Sequence, residues 1–468
     1  MKLLHALLLL STTVISQNYP QDYFQSPLDI SLDVSGSFGE LRSNHFHSGL
    51  DFKTEGKEGL PVHASGDGYV SRIKISPFGY GKAIYVTHPN GYTTVYGHLQ
   101  KANGAIQDYI VKKHYTEKAY EIEMYLYPSE LSVKKGEIIA FSGNSGGSGG
   151  PHLHFEFRDT KSEQIINPMH FGFKKIIQDE RKPVIQGIVA YPIDSTIVNY
   201  SQKPINISFT KQTDGTYLST KVKASGRVAF GVNAYDFCTN GYNKNGLYKV
   251  KTFLNGVLQY QIGFDSFAFD ESRYINNFID YERFHDMGQR VQKLYQLDNY
   301  PLSIIAGNKK DGTIKVQPNS NYIYKVELYD FHGNKVELII PLEYAMQQTK
   351  IVNTIRKTPY YVKAKNESIF EKDNVSVYIP ENAFYNNFYL NFEVNNDIVT
   401  LHDDSVPVHK NITIAFNNVS GLTEAQLSKT YIATLDGYKL DYNKTYRKGN
   451  NFSIRTKTLG KFKLAQDD

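Results

Sequence analysis

The stretch His152-Leu153-His154-Phe155-Glu156-Phe157-Arg158 decides how this chain is read. Side chains alternate faces along a strand. His152, His154, Glu156 and Arg158 then share one face, while Leu153, Phe155 and Phe157 bury the other. Two imidazoles stand side by side on an apolar backing, which fixes metal ligands by packing rather than by their own flexibility. Taken alone, a pair of surface histidines accounts for the segment slightly better. Glu156 on that face is either an acceptor behind a histidine or a solvated strand carboxylate.

Immediately upstream, glycines at 143, 146, 147, 149 and 150 mark a loop. Further back, Tyr69–Ile75, Ala83–His88 and Tyr92–Leu99 read as strands. Ser76-Pro77-Phe78-Gly79 and Pro89-Asn90-Gly91 separate them, and Asn-Gly between two strand patterns signals a hairpin. A stretch of different character lies between His98 and the glycine loop. Ile106, Tyr109, Ile110 and Lys113 fall at helical spacing. Ile122, Met124 and Leu126 alternate with Glu121, Glu123 and Tyr125, as in a half-buried strand. The expectation is an inserted helix and strand, over about 104–132, packed beside the sheet.

Two further segments carry metal-type residues. His47-Ser48-Gly49-Leu50-Asp51 places an imidazole and a carboxylate four apart, on one side of a strand or helical turn. Nitrogen with oxygen donors suits zinc. Tyr96-Gly97-His98-Leu99 adds a histidine at a strand end. Each is weak alone, but their order is specific.

That order resembles the M23 metallopeptidases, the lysostaphin or LytM-type endopeptidases. The matching framework covers the first third of the chain. It takes in His47–Asp51, Pro61-Val62-His63-Ala64 with Gly66-Asp67-Gly68, and His88-Pro89-Asn90-Gly91. It continues through Tyr96–Leu99, Lys135–Ala140 and Gly143-Asn144-Ser145-Gly146, and ends in Gly150–Glu156. Carried over residue by residue, the resemblance makes His47, Asp51 and His154 the ligands of one Zn2+ per chain. It makes His98 and His152 the catalytic histidines. Glu156 is the candidate acceptor behind them. Three protein ligands leave a coordination position open, as in catalytic rather than structural zinc sites. The fold implied is a mostly antiparallel sheet with a groove walled by glycine-rich loops. The substrate implied is peptidoglycan, cut at peptide bonds of stem peptides or cross-bridges. The insertion departs from the family's pattern and bears on the width of the groove. The alternative is a non-catalytic module of the same fold that binds wall or activates an amidase; such modules typically lose ligands, and here all are present.

Composition bounds the rest. A chain of 468 residues is too long for one core. With 36 Tyr, 27 Phe and no Trp, it leans toward strands. A formal charge of +5 is compatible with an anionic polymer without identifying one. The absence of a Lys/Arg-rich block argues against nucleic acid. Residues 1–16 read as an export signal, with Lys2 ahead of the apolar run Leu3–Leu10 and Ser16 before the cut. No later stretch is long and apolar enough to span a membrane. The protein is therefore expected outside the cytoplasm, in periplasm, envelope or medium. Cys238 is the only cysteine, which excludes an intrachain disulfide or a Cys-based zinc site, and it reads as a small buried hydrophobe.

Asp179-Glu180-Arg181-Lys182-Pro183 reads as a charged linker closing a peptidase domain of 17–178. Beyond it the pattern is strand after strand. Tyr324–Leu328 and Val336–Pro341 form a hairpin across Asp330–Asn334. Val375–Ile379, Phe388–Val394, Ile412–Phe416, Tyr431–Leu435 and Phe452–Arg455 follow a second boundary at Gln347–Thr358. The chain is thus expected to be mainly β, with β-sandwich-like, Ig-like domains at 183–346 and 350–468. No ligand cluster is expected after Pro183. His45, His63, His88, His114 and His170 read as loop, turn or surface residues, and His285, His332, His402 and His409 lack partners at ligand spacing.

Overall fold

A computed structural model describes residues 18–239, 241–298, 300–305 and 310–467. The export signal read at 1–16 lies outside them. The chain divides into two compact units. The first holds the described residues up to Asp33, with Asp51–Lys161 and Ile166–Gln178; the second holds Val34–Leu50, Ser162–Ile165 and the residues from Asp179 on.

In the first unit the main sheet runs in the order Leu50–Lys53, His152–Asp159, Tyr92–Gly97, Lys82–Thr87, Gly68–Ile75, Ile122–Tyr125. From His152–Asp159 onward every pairing is antiparallel. The strand His152–Asp159 alternates as its sequence requires. Leu153, Phe155 and Phe157 are fully buried. Phe157 stacks on Phe171 at 4.0 Å between ring centroids, and Phe155 packs on Phe52 and Phe173. Each such ring stabilises the fold by about 1.5–3 kcal/mol through burial, so the opposite face is held by a rigid aromatic layer.

The insertion forms a helix, Gly104–Glu117, with Ile106 and Ile110 buried. Its strand does more than pack beside the sheet. Ile122–Tyr125 pairs with Gly68–Ile75, Ile75 opposite Ile122, and becomes an added strand of the sheet. Backbone groups along an open strand edge need partners, and this segment supplies them.

In the second unit an eleven-stranded sheet spans the region from Val184 to Tyr344. Its hairpin joins Asn321–Tyr329 to Lys335–Tyr344, with Leu328 opposite Val336. The long strand Val184–Val198 bends through irregularities at Ile185/Gly187 and Ile193/Ile197. The sheet curls enough for Phe230 to stack on Tyr324 at 5.0 Å. Farther along, two five-stranded sheets follow. Val377, Ile414 and Ile454 from one share a single core with Val399, Ile432 and Phe462 from the other. Among the described residues no helix is long and apolar enough to cross a membrane.

The charged run after Gln178 is partly packed, with Glu180 and Lys182 exposed. Asp179 is buried, and Glu180 N donates to Thr239 Oγ1 at 2.8 Å. Arg181 Nη1 donates to Gly241 O at 3.0 Å, and its guanidinium lies 4.3 Å from the Phe237 ring centroid. A backbone acceptor and a ring face replace water for the Arg181 charge, and Arg181 N donates to Asp179 Oδ1 at 3.0 Å. Cys238 is half-buried rather than enclosed, with Asn245 Nδ2 at 3.6 Å from its sulfur.

Candidate active site

The strand His152–Asp159 sets His154 opposite Gly97. A Cβ at position 97 would lie 3.3 Å from His154 Cβ, so a side chain there would crowd the imidazole. The neighbouring strand ends at Gly97, and His98 turns the chain with φ of 56°. That left-handed conformation costs a non-glycine residue of order 1 kcal/mol or more. It is held by His98 N donating to Tyr80 O at 2.8 Å. The turn carries the His98 ring to 4.6 Å from His152 and 5.8 Å from His154, between centroids.

The glycine-rich loop completes this arrangement. Gly146, at φ of 74°, approaches the 79–81 turn so closely that a Cβ would lie 2.3 Å from Gly81 N. The contact seats Ser145, whose carbonyl faces His98 Nδ1 at 2.8 Å. His152 Nδ1 faces Gly150 O at 2.8 Å, and His47 Nδ1 faces Ser37 O at 2.8 Å. A carbonyl can only accept, so each ring donates from Nδ1 and, when neutral, keeps its lone pair at Nε2. Three histidines are thereby fixed in one tautomer by backbone.

His154 differs. Its Nδ1 lies 2.9 Å from Asp51 Oδ1 and its Nε2 lies 2.8 Å from Glu156 Oε1. Burial alone would lower its pKa, but the hydrogen bonds to Asp51 and Glu156 outweigh burial and raise it to about 9. His98 goes the other way, to about 4, through burial and then the nearby His154 charge. Glu156 is fully buried. It accepts from Tyr80 Oη at 2.5 Å, and from Arg158 Nε at 2.8 Å and Nη2 at 2.7 Å. The solvated-carboxylate alternative for Glu156 is therefore excluded.

His47, Asp51 and His154 are all buried, and one ligand atom from each lies within 4.8 Å of the others. Two imidazoles and a carboxylate match zinc's preferred donors. The donor chemistry fits a cation: the proton held between His154 and Asp51 occupies a position where a metal would satisfy both. His152 Nε2 is 3.5 Å from Asp51 Oδ1, so it borders the same point without belonging to the trio.

Sequence reasoning did not reach Tyr80. It lies just after a turn read only as a chain reversal, yet its ring stacks on His154 at 5.0 Å and its hydroxyl holds Glu156. The remaining framework histidines have structural partners. His88 lies between Asp67 O and Thr94 Oγ1, and His63 between Gly136 O and Asp29. His45 is exposed and pairs with Asn44. His332 overturns its expectation: it gathers with Asp179 and Asp330, one ligand atom from each within 4.8 Å of the others. Asp330 and His332 share one turn beyond Pro183, but Asp179 precedes Pro183, so no local spacing announces the group.

Residues 45–168 match the model of peptidase family M23, and residues 359–467 match that of a Zu5-like domain. An uncharacterized metalloprotease of Haemophilus influenzae is 37% identical over 31% of this chain and 26% of its own length. A DD-carboxypeptidase/endopeptidase of Neisseria meningitidis serogroup B is 33% identical over 29% of this chain and 26% of its own. A peptidoglycan DD-endopeptidase of Vibrio cholerae is 27% identical over 39% of this chain and 34% of its own. The chain thus matches about a quarter to a third of the length of these relatives.

Proposed function

We propose, from the premise that residues 45–168 form a domain of peptidase family M23, that this chain is an exported zinc-dependent endopeptidase cutting peptide bonds in peptidoglycan. The observation that carries the proposal is the gathering of His47, Asp51 and His154 with the His98 and His152 rings beside them. The peptidoglycan substrate is argued from the named activities of the relatives. The cell envelope or its exterior is the compartment where such a substrate is met.

In this reading His47, Asp51 and His154 hold the metal. When bound, zinc supplies Lewis-acid activation of a peptide carbonyl and of water. His47 offers Nε2, because Nδ1 is engaged by Ser37 O. His154 offers Nδ1, because Nε2 is engaged by Glu156. Glu156, braced by Tyr80 and Arg158, orients that ligand and raises its basicity, as carboxylates behind metal-bound histidines do. His98 and His152 present Nε2 as proton carriers. With its pKa near 4, His98 is neutral at pH 7, able to accept a proton and pass it to the departing amine.

The test is metal analysis together with digestion of purified walls of defined cross-link chemistry, the released peptides identified by mass spectrometry. One zinc per chain, with hydrolysis lost on chelation and regained with zinc, is the expected result. Wall binding with no released peptides at full metal loading would leave only a binding module.

A further inference from the structure

The second unit buries a group of charges that the peptidase reading does not use. Asp179, Asp236 and Asp330 are each under a tenth exposed, at 8%, 4% and 4%. Asp179, Asp330 and His332 approach within 4.8 Å by one ligand atom each. Asp330 sits in the hairpin turn, where Oδ1 accepts from Gly333 N and Asn334 N, both at 2.7 Å. Its Oδ2 accepts from Asn334 Nδ2, which also donates to Asp179 O at 3.0 Å. The turn and the segment after Gln178 are thereby tied into one rigid frame.

Asp236 supplies the independent observation. Its Oδ1 is buried with no hydrogen-bond partner among the described residues. Asp179 and Asp330 lie near enough for their charges to act on Asp236. Asn245 forms an antiparallel bridge with Asp236, and backbone hydrogen bonds run both ways between them at 2.8 and 2.9 Å. Residues so paired present their side chains on one face. Asn245 Oδ1 is also buried and without a partner. An orphaned buried acceptor costs about 1–3 kcal/mol, more when charged.

The cluster sets three carboxyl groups against two basic side chains, Arg181 acting on Asp236 and His332 acting on Asp179. A proton would satisfy one oxygen, whereas a cation is held by several at once.

We propose that Asp179, Asp330 and His332, with the unpartnered Asp236 beside them, form a second metal site, taking a divalent cation through carboxylate oxygens and one imidazole. The oxygen majority suits calcium or manganese, and the imidazole favours manganese or zinc over calcium. The cation would fasten the segment after Gln178 to the hairpin turn at Asp330 and to the strand end at Asp236. Its role is structural.

The test uses the full chain, stripped with chelator, in the wild type and in Asp51→Ala, so that metal at the peptidase site is told apart. Thermal unfolding is followed with MnCl2, CaCl2 or ZnCl2 alone. The expected result in both proteins is a rise in midpoint of about 5 °C with at least one of the three, as ligand binding to the folded state requires. Asp236→Asn and Asp179→Asn abolish that rise, and the metal-free midpoint of Asp236→Asn stays level or climbs because an anion has been removed from the cluster. No rise with any of the three metals, or an undiminished rise in both asparagine variants, overturns the proposal. So would an Asp236→Asn protein stabilised at pH 8 with no metal response in the wild type, which shows that the cluster is satisfied by protons. Failure of the peptidase reading leaves these outcomes untouched, since they are read in Asp51→Ala as well.

Discussion

The histidine site and the carboxylate cluster bury ionisable groups by opposite means. In the first, His47, His98 and His152 are each tied at Nδ1 to a backbone carbonyl, and Glu156 takes hydrogen bonds from Tyr80, Arg158 and His154. In the second, carboxyl groups crowd one another and Asp236 Oδ1 has no donor among the described residues. A site whose supporting shell is complete holds its reactive atoms in place for chemistry. One left short of donors is completed by something it binds. The two regions therefore call for different perturbations.

The largest effect is expected at the ligands of the first site. Asp51→Ala removes its only carboxylate ligand, and both zinc and wall hydrolysis should be lost together. His98→Ala and His152→Ala leave the three ligands in place. Zinc should stay while turnover falls by about 10²–10⁴-fold, the usual worth of a positioned proton-transfer group. Metal analysis and hydrolysis on the same three variants decide it: His98→Ala losing zinc as readily as Asp51→Ala would make His98 a ligand. It would also remove the division of labour on which the comparison rests.

Next comes the supporting shell. Glu156→Gln keeps the shape but takes the charge from between His154 and Arg158. Zinc affinity should fall by about 10–100-fold, the typical result of losing a partner behind a metal-bound histidine. Arg158 is then buried beside a neutral amide, and unfolding free energy should drop by about 3 kcal/mol. Competition with a chelator measures the first quantity and denaturant unfolding of the metal-free protein the second. Unchanged affinity alongside lower stability would confine Glu156 to a structural part.

The strand from His152 to Arg158 was legible in the sequence because one period-2 pattern carries both the aromatic layer and the histidine face. His47, Asp51 and His98 were legible only through the order of motifs, since nothing in their spacing says that the chain returns to one point. The insertion shows where pattern stops. The alternation of Ile122, Met124 and Leu126 specified a strand, but pairing with Gly68–Ile75 depends on an open edge the pattern cannot display. The carboxylate cluster was out of reach for a physical reason. Asp179 stands in a run of charges that reads as a linker, Asp330 stands in a turn that needs an Asp anyway, and Asp236 lies at a strand end distant in sequence from both. Only the fold puts them together.

A smaller effect separates buried histidines that do chemistry from one that holds the frame. His88 is buried with both ring nitrogens engaged, and burial lowers its pKa from 6.5 to about 4. The folded state therefore disfavours its protonation relative to the unfolded chain. Its stabilising contribution is present above pH 6.5 and is lost as pH falls from there toward 4, amounting to about 3 kcal/mol at the acid end. Urea unfolding between pH 7 and 4 should show the decline, and His88→Gln should flatten it. An equally steep decline in that variant would assign the loss to other groups.

The smallest effect is expected where a pair resembling Arg158–Glu156 lies in the open. Arg72 donates through Nε to Glu123 Oε1 at 2.9 Å, joining the inserted strand to the sheet. Arg72 and Arg158 both stand over the Tyr85 ring, at 4.7 and 5.1 Å from its centroid. Both pairs join an arginine to a glutamate, and their exposure differs: the side chains of Arg72 and Glu123 are 21% and 37% exposed, those of Arg158 and Glu156 4% and 0%. Water and salt screen the outer pair, and the inserted strand is held by its backbone ladder and by burial of Ile122 and Met124. Glu123→Ala should therefore cost under about 1 kcal/mol, shrinking further at high salt. Met124→Ala in the same strand should cost about 2–3 kcal/mol at any salt concentration, because the loss is apolar contact rather than charge. Unfolding of the two variants at low and high ionic strength checks both. A salt-insensitive loss of several kcal/mol from Glu123→Ala would mean that the ion pair rather than the ladder secures the insertion, and that exposure does not distinguish the two arginines.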